Sequence, residues 1–116
     1  MESFSPKAAM TLAYQEQMKP KIMRVNLPTG MVEEYDVNGL LHREDGPARI
    51  DYYRNGTPFK EEYRINGLLH RLDGPAVIHY RENGCIWDEH YYIDDEYIKV
   101  KSLEEFKKIV KLMAFK

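Results

Sequence analysis

Apolar and polar side chains alternate strictly along two stretches of the chain. Ala48, Ile50 and Tyr52 fall on one side, and Arg49, Asp51 and Tyr53 on the other; Ala76, Ile78 and Tyr80 repeat the pattern. A period of two is that of a strand with one buried face. Asn55-Gly56 and Asn83-Gly84 come next, pairs that favour hairpin turns because both residues tolerate positive φ. A second strand is predicted after each turn. Phe59, Glu61, Tyr63 and Ile65 share a face in one, and Trp87, Glu89, Tyr91 and Ile93 share a face in the other. That phase directs Trp87 and Tyr91 to the core and Asp88, His90 and Tyr92 outward. Asn66-Gly67 turns the chain again, and Arg-x-Asp-Gly-Pro makes a tight turn before the next strand. The unit is a hairpin with a short third segment, and the expected whole is an antiparallel meander.

At both ends the period changes to that of a helix. Ser5 can cap a helix with Pro6 at its first position, and Met10, Tyr14 and Met18 form a stripe that stops before Pro20. Near the other end Ser102 and Glu105 have capping-box spacing, and Leu103, Phe106, Ile109, Val110 and Met113 make one apolar face. Glu104 and Glu105 in the first turn and Lys111 late in the helix suit its dipole. The expected fold class is mainly β with helical ends. One domain over 1–116 comprises an N-terminal helical segment at 1–20, a β-repeat body at 21–100 and an amphipathic capping helix at 102–116.

The two strand pairs belong to near copies. Segments 35–62 and 63–90 are identical at 16 of 28 aligned positions, an offset of 28 residues. A fixed period of this length marks a repeat architecture. Partial copies flank the good ones: Met31, Glu33, Tyr35 and Val37 match Phe59, Glu61, Tyr63 and Ile65, and Ile22 falls in register with Ile50. Beyond Gly84 the pattern fades, and Asp94-Asp95 stands where Asn-Gly stood. Worn terminal copies are expected of capping units.

Charge changes the picture because it is uneven. Residues 1–32 carry a net +2, residues 33–96 a net −8 and residues 97–116 a net +4, against −2 for the whole. An acidic repeat body argues against direct nucleic-acid binding by the sheet, since phosphate contacts need positive charge. The single Cys85 cannot form an internal disulfide and is read as a small half-buried side chain, its place being taken by Thr57 in the other copy. This usage suits a reducing cytoplasm. No apolar run approaches the roughly 20 residues that span a bilayer, and MESFSPKAAM lacks the basic start and apolar stretch of a signal peptide. A cytoplasmic location is expected, the host-cell cytoplasm if the source is viral, with no membrane partner.

Few residues suggest chemistry. His42, Arg43 and Asp45, with their copies His70, Arg71 and Asp73, could be a catalytic or phosphate-binding group. They occur twice, however, whereas an active site is normally built once, and they sit in a turn where Asp and Arg can pair. A structural role is the better reading. Glu33, Glu61 and Glu89 recur on the apolar face, where a carboxylate is costly unless paired. The expected partners are the repeated Arg or His, forming a ladder from unit to unit. Spaced a full unit apart, about 10 Å or more, these carboxylates are too distant to share one metal ion. His79 and His90 have no copies, Asp51 and Glu62 holding the equivalent places, and are read as outward-facing surface. No catalytic residue, metal site or cofactor is assigned. Around them the segment 87–97, WDEHYYIDDEY, joins five acidic residues to Trp87, Tyr91, Tyr92 and Tyr97. Aromatics of this kind dominate interface hot spots. Asp88, His90, Tyr92, Asp94, Asp95, Glu96 and Tyr97 are the candidate partner-binding residues.

The units Tyr-x-Val/Ile-Asn-Gly and Tyr-x-x-Asn-Gly-x-x-x-x-x-Glu resemble MORN-type repeats, in particular the variant form of bacterial antitoxin-like proteins. The Leu-His-Arg-x-Asp-Gly-Pro-Ala segments at 41–48 and 69–76 resemble repeats of phage, giant-virus and bacterial proteins. The similarity spans about 22–97, although most MORN glycines and the basic sheet surface suited to lipids are missing. It implies antiparallel hairpin sheets that serve as scaffolds or binding surfaces, and it implies no catalytic residues. The expected function is a non-catalytic module that binds a protein: a phage-encoded inhibitor of a host defence protein, or an immunity protein that binds a toxin. Alternatives are an acidic mimic of nucleic acid that blocks a DNA- or RNA-binding host enzyme, and a small-ligand binder or enzyme using the His/Arg/Asp turns.

Overall fold

The computed structural model of the protein describes residues 19–114. The helix expected from Ser5 to Met18 lies outside the described residues.

Among the described residues ten strands and one helix follow in order: β1 (Lys21–Leu27), β2 (Gly30–Val37), β3 (Leu40–Leu41), β4 (Arg49–Tyr52), β5 (Pro58–Glu62), β6 (Arg64–Ile65), β7 (Leu68–Leu69), β8 (Val77–Tyr80), β9 (Ile86–Ile93), β10 (Glu96–Ile98) and α1 (Leu103–Met113). The main sheet runs β1-β2-β4-β5-β8-β9-β10, with β3 pairing back on β2 and β6-β7 forming a separate ribbon. Every pairing is antiparallel, so the chain is a meander that advances steadily across the sheet. The result is flat and long, 55 × 36 × 19 Å.

Cross-strand register gives the two faces. Glu33, Ile50, Glu61, Ile78 and Glu89 lie in one row across β2, β4, β5, β8 and β9 on the inner face. Ala48 and Ala76 sit in the next row, opposite Tyr35 and Tyr63, and are completely buried; Ile50, Ile78, Val37, Tyr91 and Ile93 complete the sheet's share of the buried apolar set. This core is thin because a single sheet has only one layer to cover it.

Part of the cover comes from the turns that precede β4 and β8. The Arg43 guanidinium stacks 3.9 Å above the Tyr35 ring, and Arg71 stacks 3.9 Å above Tyr63. Each also reaches a carbonyl, Arg43 donating to Pro47 O at 3.2 Å and Arg71 to Pro75 O at 3.1 Å. Their Nε groups pair with Asp45 and Asp73, both at 3.0 Å. Glycine in the Asp-Gly-Pro turn is explained by this stack. A Cβ on Gly46 or Gly74 would fall 2.8 or 2.9 Å from the Arg Cζ and push the guanidinium off its ring.

His42 and His70 fasten the following turns. His42 Nδ1 accepts the Asn66 N–H at 3.0 Å, and His70 Nδ1 accepts the Asp94 N–H at 3.1 Å. Asn66-Gly67 turns with φ of 51° and 82°, and Asp94-Asp95 with 48° and 68°. Asp is one of the few residues that tolerate this left-handed geometry. Asp95 also accepts the Leu69 N–H at 2.8 Å, so the altered turn is held as firmly as the Asn-Gly turn it replaces.

The C-terminal helix covers the last strands, as expected of a cap. Ser102 accepts the Glu105 N–H, and Phe106 is wholly buried, its ring 4.7 Å from that of Tyr91. Ile98, Val100, Leu103 and Val110 pack around this pair. The expected apolar face fails at Met113, which is exposed along with Leu112.

Three expectations about side-chain direction are corrected. The inner carboxylates do not pair with the repeated Arg or His. Glu33 accepts from Arg24 Nε at 2.6 Å and from the Tyr35 hydroxyl at 3.0 Å, Glu61 accepts from the Tyr80 hydroxyl at 2.6 Å, and Glu89 is exposed. The stacked arginines are already committed to their own turns. Cys85 is exposed, not half-buried. Phe59 and Trp87 do not join the core; both face outward.

The outward turn of these two rings has a local cause. In the Asn55-Gly56 turn only Gly56 has positive φ, 88°, while Asn55 instead uses its side chain to accept the Thr57 N–H. Asn83 does the same for the Cys85 N–H. A loop of this longer kind closes with a bulge. Register accordingly slips between Asp51 and Tyr52 opposite β5, leaving Phe59 as the extra residue, and between His79 and Tyr80 opposite β9, leaving Trp87 as the extra residue. One added residue reverses the parity of everything on its turn-proximal side.

Candidate functional site

The outward face begins as a salt-bridged ladder. Arg49 bonds Glu34 at 3.0 Å and Asp51 at 2.9 Å. Glu62 takes Lys60 at 3.0 Å and Arg64 at 2.8 Å. Burial pushes the Glu62 carboxyl up, but the hydrogen bonds from Arg64 and Lys60 outweigh it, and the net position is below the ordinary carboxylate value.

Toward β8 and β9 the ladder gives way to rings. Tyr53 meets Phe59 with centroids 5.3 Å apart, Phe59 meets His79 at 6.1 Å, and His79 meets Trp87 at 5.5 Å and His90 at 6.3 Å. His90 then meets Tyr97 at 6.1 Å, and Tyr97 meets Tyr92 at 5.5 Å. The strip crosses β5, β8, β9 and β10 without a break. Its largest members are open to solvent, Trp87 at 52% and Tyr97 at 53%. Adjoining it are the exposed acids Asp94, Asp95 and Glu96.

Within the strip Asp88 is the polar centre. His90 Nε2 lies 2.8 Å from Asp88 Oδ2, and His79 Nδ1 lies 4.0 Å from the same oxygen. His79 Nδ1 is buried and has no hydrogen-bond partner. The ligating atoms of His79, Asp88 and His90 all fall within 4.8 Å of one another.

Of the candidate partner-binding residues, Asp88, His90, Tyr92 and Tyr97 come together on this face. Asp94 and Asp95 stand in the β9-β10 turn, where their backbone geometry and the Asp95 carboxylate serve the fold. Glu96 is exposed beside them. The structural candidates His42, Arg43, Asp45, His70, Arg71 and Asp73 are engaged in holding turns, and Glu33 and Glu61 in bonds with tyrosine hydroxyls. Phe59, Trp87 and His79 are the members that sequence reasoning missed. The Asn-Gly followed three residues later by an aromatic, Phe59 or Trp87, was the only available sign of the bulge. Comparison with known protein families, curated proteins and solved structures finds no match.

Proposed function

We propose that the chain is an array of MORN-like β-hairpin repeats of period 28 that acts without catalysis, by binding another protein through the outward face of β8, β9 and β10. The observation that carries this reading is the pair of bulges, which turn Phe59 and Trp87 out of the core and into an unbroken strip of rings in which they and Tyr97 are exposed. Large exposed rings on a rigid sheet supply contact area at little entropic cost. The acids at 94–96 suit a partner whose apolar contact patch is ringed by Lys or Arg. The array reading is supported by the equal contacts of Arg43 and Arg71, of His42 and His70, and of the two bulges. In a cell such a chain would work in the cytoplasm as an inhibitor, of the kind directed by a phage at a host defence protein or by an immunity protein at a toxin. Mimicry of nucleic acid is less well supported, because Arg49, Lys60 and Arg64 neutralise the acids of the same face.

The test is a comparison of partner capture by the wild-type chain and by Trp87→Ala and Tyr97→Ala. Each substitution should weaken binding by roughly 30-fold, the scale of a hot spot worth about 2 kcal/mol, and leave the melting temperature within a few degrees. A captured partner with a basic, apolar contact face supports the reading. A partner held with unchanged affinity by both folded variants refutes it, and capture of a nucleic-acid enzyme displaced by DNA or RNA favours the mimic.

A further inference from the structure

The structure assigns a second property to the same face: His79, Asp88 and His90 form a binding site for one divalent transition-metal ion of the zinc class. This stands apart from the partner reading, since it concerns the isolated chain.

The argument begins with what occupies the equivalent places one unit earlier. Arg49, Asp51, Lys60 and Glu62 become Val77, His79, Asp88 and His90 after an offset of 28. In the first set every side chain is in an ion pair. In the second, the two cations are gone, both acids have become imidazoles, and the one lysine has become the carboxylate between them. The scaffold is the same, with His79 paired across to Asp88 and Val77 to His90. A closed salt-bridge network has been exchanged for a set of donors without a cation.

Two imidazoles and one carboxylate are a ligand set suited to zinc and its first-row neighbours. Ligand bonds of about 2.1 Å in tetrahedral geometry place the ligating atoms roughly 3.4 Å apart. Here the two separations from Asp88 Oδ2 are 2.8 and 4.0 Å, which bracket that value. Small rotations of the imidazoles bring both to it. The buried, partnerless Nδ1 of His79 is the second and independent sign. A buried polar nitrogen left without a partner is destabilising, and a metal ion at this point removes the deficit. Lys60 lies across from His79 but is drawn to Glu62 at 3.0 Å, leaving Asp88 to the imidazoles. All three side chains are partly open, so water completes the coordination.

Trp87 supplies the readout. It is the only tryptophan of the chain, and its ring lies 5.5 Å from that of His79. Tag-free protein is titrated with zinc chloride in a calorimeter and with nickel chloride while Trp87 fluorescence is followed. One saturable equivalent is expected, with nickel quenching Trp87. His79→Ala and His90→Ala should each weaken binding by about 10- to 100-fold or more, whereas Cys85→Ser, which removes the only thiol, should leave it unchanged. Should either alanine variant misfold, the triple variant His79→Asp, Asp88→Lys, His90→Glu decides. It restores three of the four side chains that occupy the equivalent places 28 residues earlier, with the lysine at position 88 left to pair with the carboxylates at positions 79 and 90, and it should fold while losing the metal. Absence of saturable binding to the wild-type chain overturns the assignment. So does retention of full affinity in a folded His79→Ala, His90→Ala or triple variant, or its loss in Cys85→Ser.

Discussion

Replacing Arg71 with Ala should be among the most damaging single changes to this fold outside the apolar core. The side chain makes three contacts, and the structure ranks them. Its guanidinium stacks at 3.9 Å on Tyr63, an interaction worth about 0.5–2 kcal/mol. Its Nη1 donates to Pro75 O at 3.1 Å, a charged hydrogen bond worth about 1.5–3 kcal/mol. The pair with Asp73 contributes at most about 1 kcal/mol, because the Asp73 side chain is 86% exposed and solvent screens it. These values overlap, and about 3 kcal/mol is the expected loss. For a domain of this size each kcal/mol shifts the melting temperature by roughly 3–6 °C, so a fall of about 10–15 °C should be seen by circular dichroism or calorimetry. Asp73→Ala should cost no more than a few degrees. Gly74 sharpens the test, since the three atoms nearest to an added Cβ all belong to Arg71. Gly74→Ala should therefore destabilise the wild-type chain by about 1–2 kcal/mol and cost nearly nothing once Arg71 is Ala, a coupling that a double-mutant cycle measures. A melting temperature for Arg71→Ala within about 3 °C of wild type, or additive behaviour with Gly74→Ala, would refute the account of the turn.

Further outcomes follow from the same contacts. Acid should weaken the fold through Glu33 and Glu62: burial raises each carboxyl, but bonds from Arg24 and Tyr35 and from Arg64 and Lys60 hold both below the ordinary 4.5. Folded values below unfolded ones give stability that is complete above the unfolded value and lost as pH falls through the folded one, so melting temperature should drop between about pH 5 and 3, and less steeply in Glu62→Gln. At the other extreme the Tyr80 hydroxyl is raised above its ordinary 10.0 by burial and by its bond to Glu61, so the stability it adds is complete below pH 10 and lost as pH climbs toward the folded value. Tyr80→Phe should flatten that alkaline loss in a denaturant titration. Phe106→Ala should cost about 3–5 kcal/mol, the usual loss for a wholly buried ring, and increase dye binding by exposed apolar surface; normal stability would mean that α1 is no cap.

Much of the fold was legible because a strand's period and a turn's chemistry are local properties. The alternation at 48–52 and 76–80 located β4 and β8, and the Ser102 and Glu105 spacing located α1 within a residue or two. What failed was counting across the Asn55-Gly56 and Asn83-Gly84 turns. Parity is conserved along a strand only while no residue is added, and the bulge that adds one depends on whether the Asn enters the left-handed region. Asn38 and Asn66 do so, with φ of 53° and 51°, whereas Asn55 and Asn83 accept the N–H two residues on through their side chains. Identical dipeptides thus make two different turns. The error fell on Phe59 and Trp87, the rings that define the candidate surface. The partners of Glu33 and Glu61 were missed for a related reason: a tyrosine hydroxyl can meet a carboxylate only through geometry that sequence spacing does not encode.

The two faces of the sheet divide what the fold requires from what it leaves open. On the inner face Tyr35, Ala48, Ile50, Tyr52 and Glu61 recur unchanged as Tyr63, Ala76, Ile78, Tyr80 and Glu89, and Val37 becomes only Ile65. On the outer face most positions differ: Asp36 becomes Arg64, Arg49 becomes Val77, Asp51 becomes His79, Tyr53 just past β4 becomes Arg81, Lys60 becomes Asp88, and Glu62 becomes His90, while Leu41 stays Leu as Leu69. Stacking of one hairpin on the next needs the inner set, which explains why a single solution is used twice. The outer set makes no such demand. The outer faces of β4-β5 and of β8-β9 therefore present opposite chemistry, one a neutralised ion-pair ladder and the other rings, imidazoles and an acid. The bulged aromatics are a further exception, Phe59 and Trp87 keeping their type on the variable side. An aromatic ring that the core does not use is thus kept on the outer side of β5 and of β9, next to His79 in both cases, while the acids beside β4 and β5 stay neutralised by Arg49, Lys60 and Arg64.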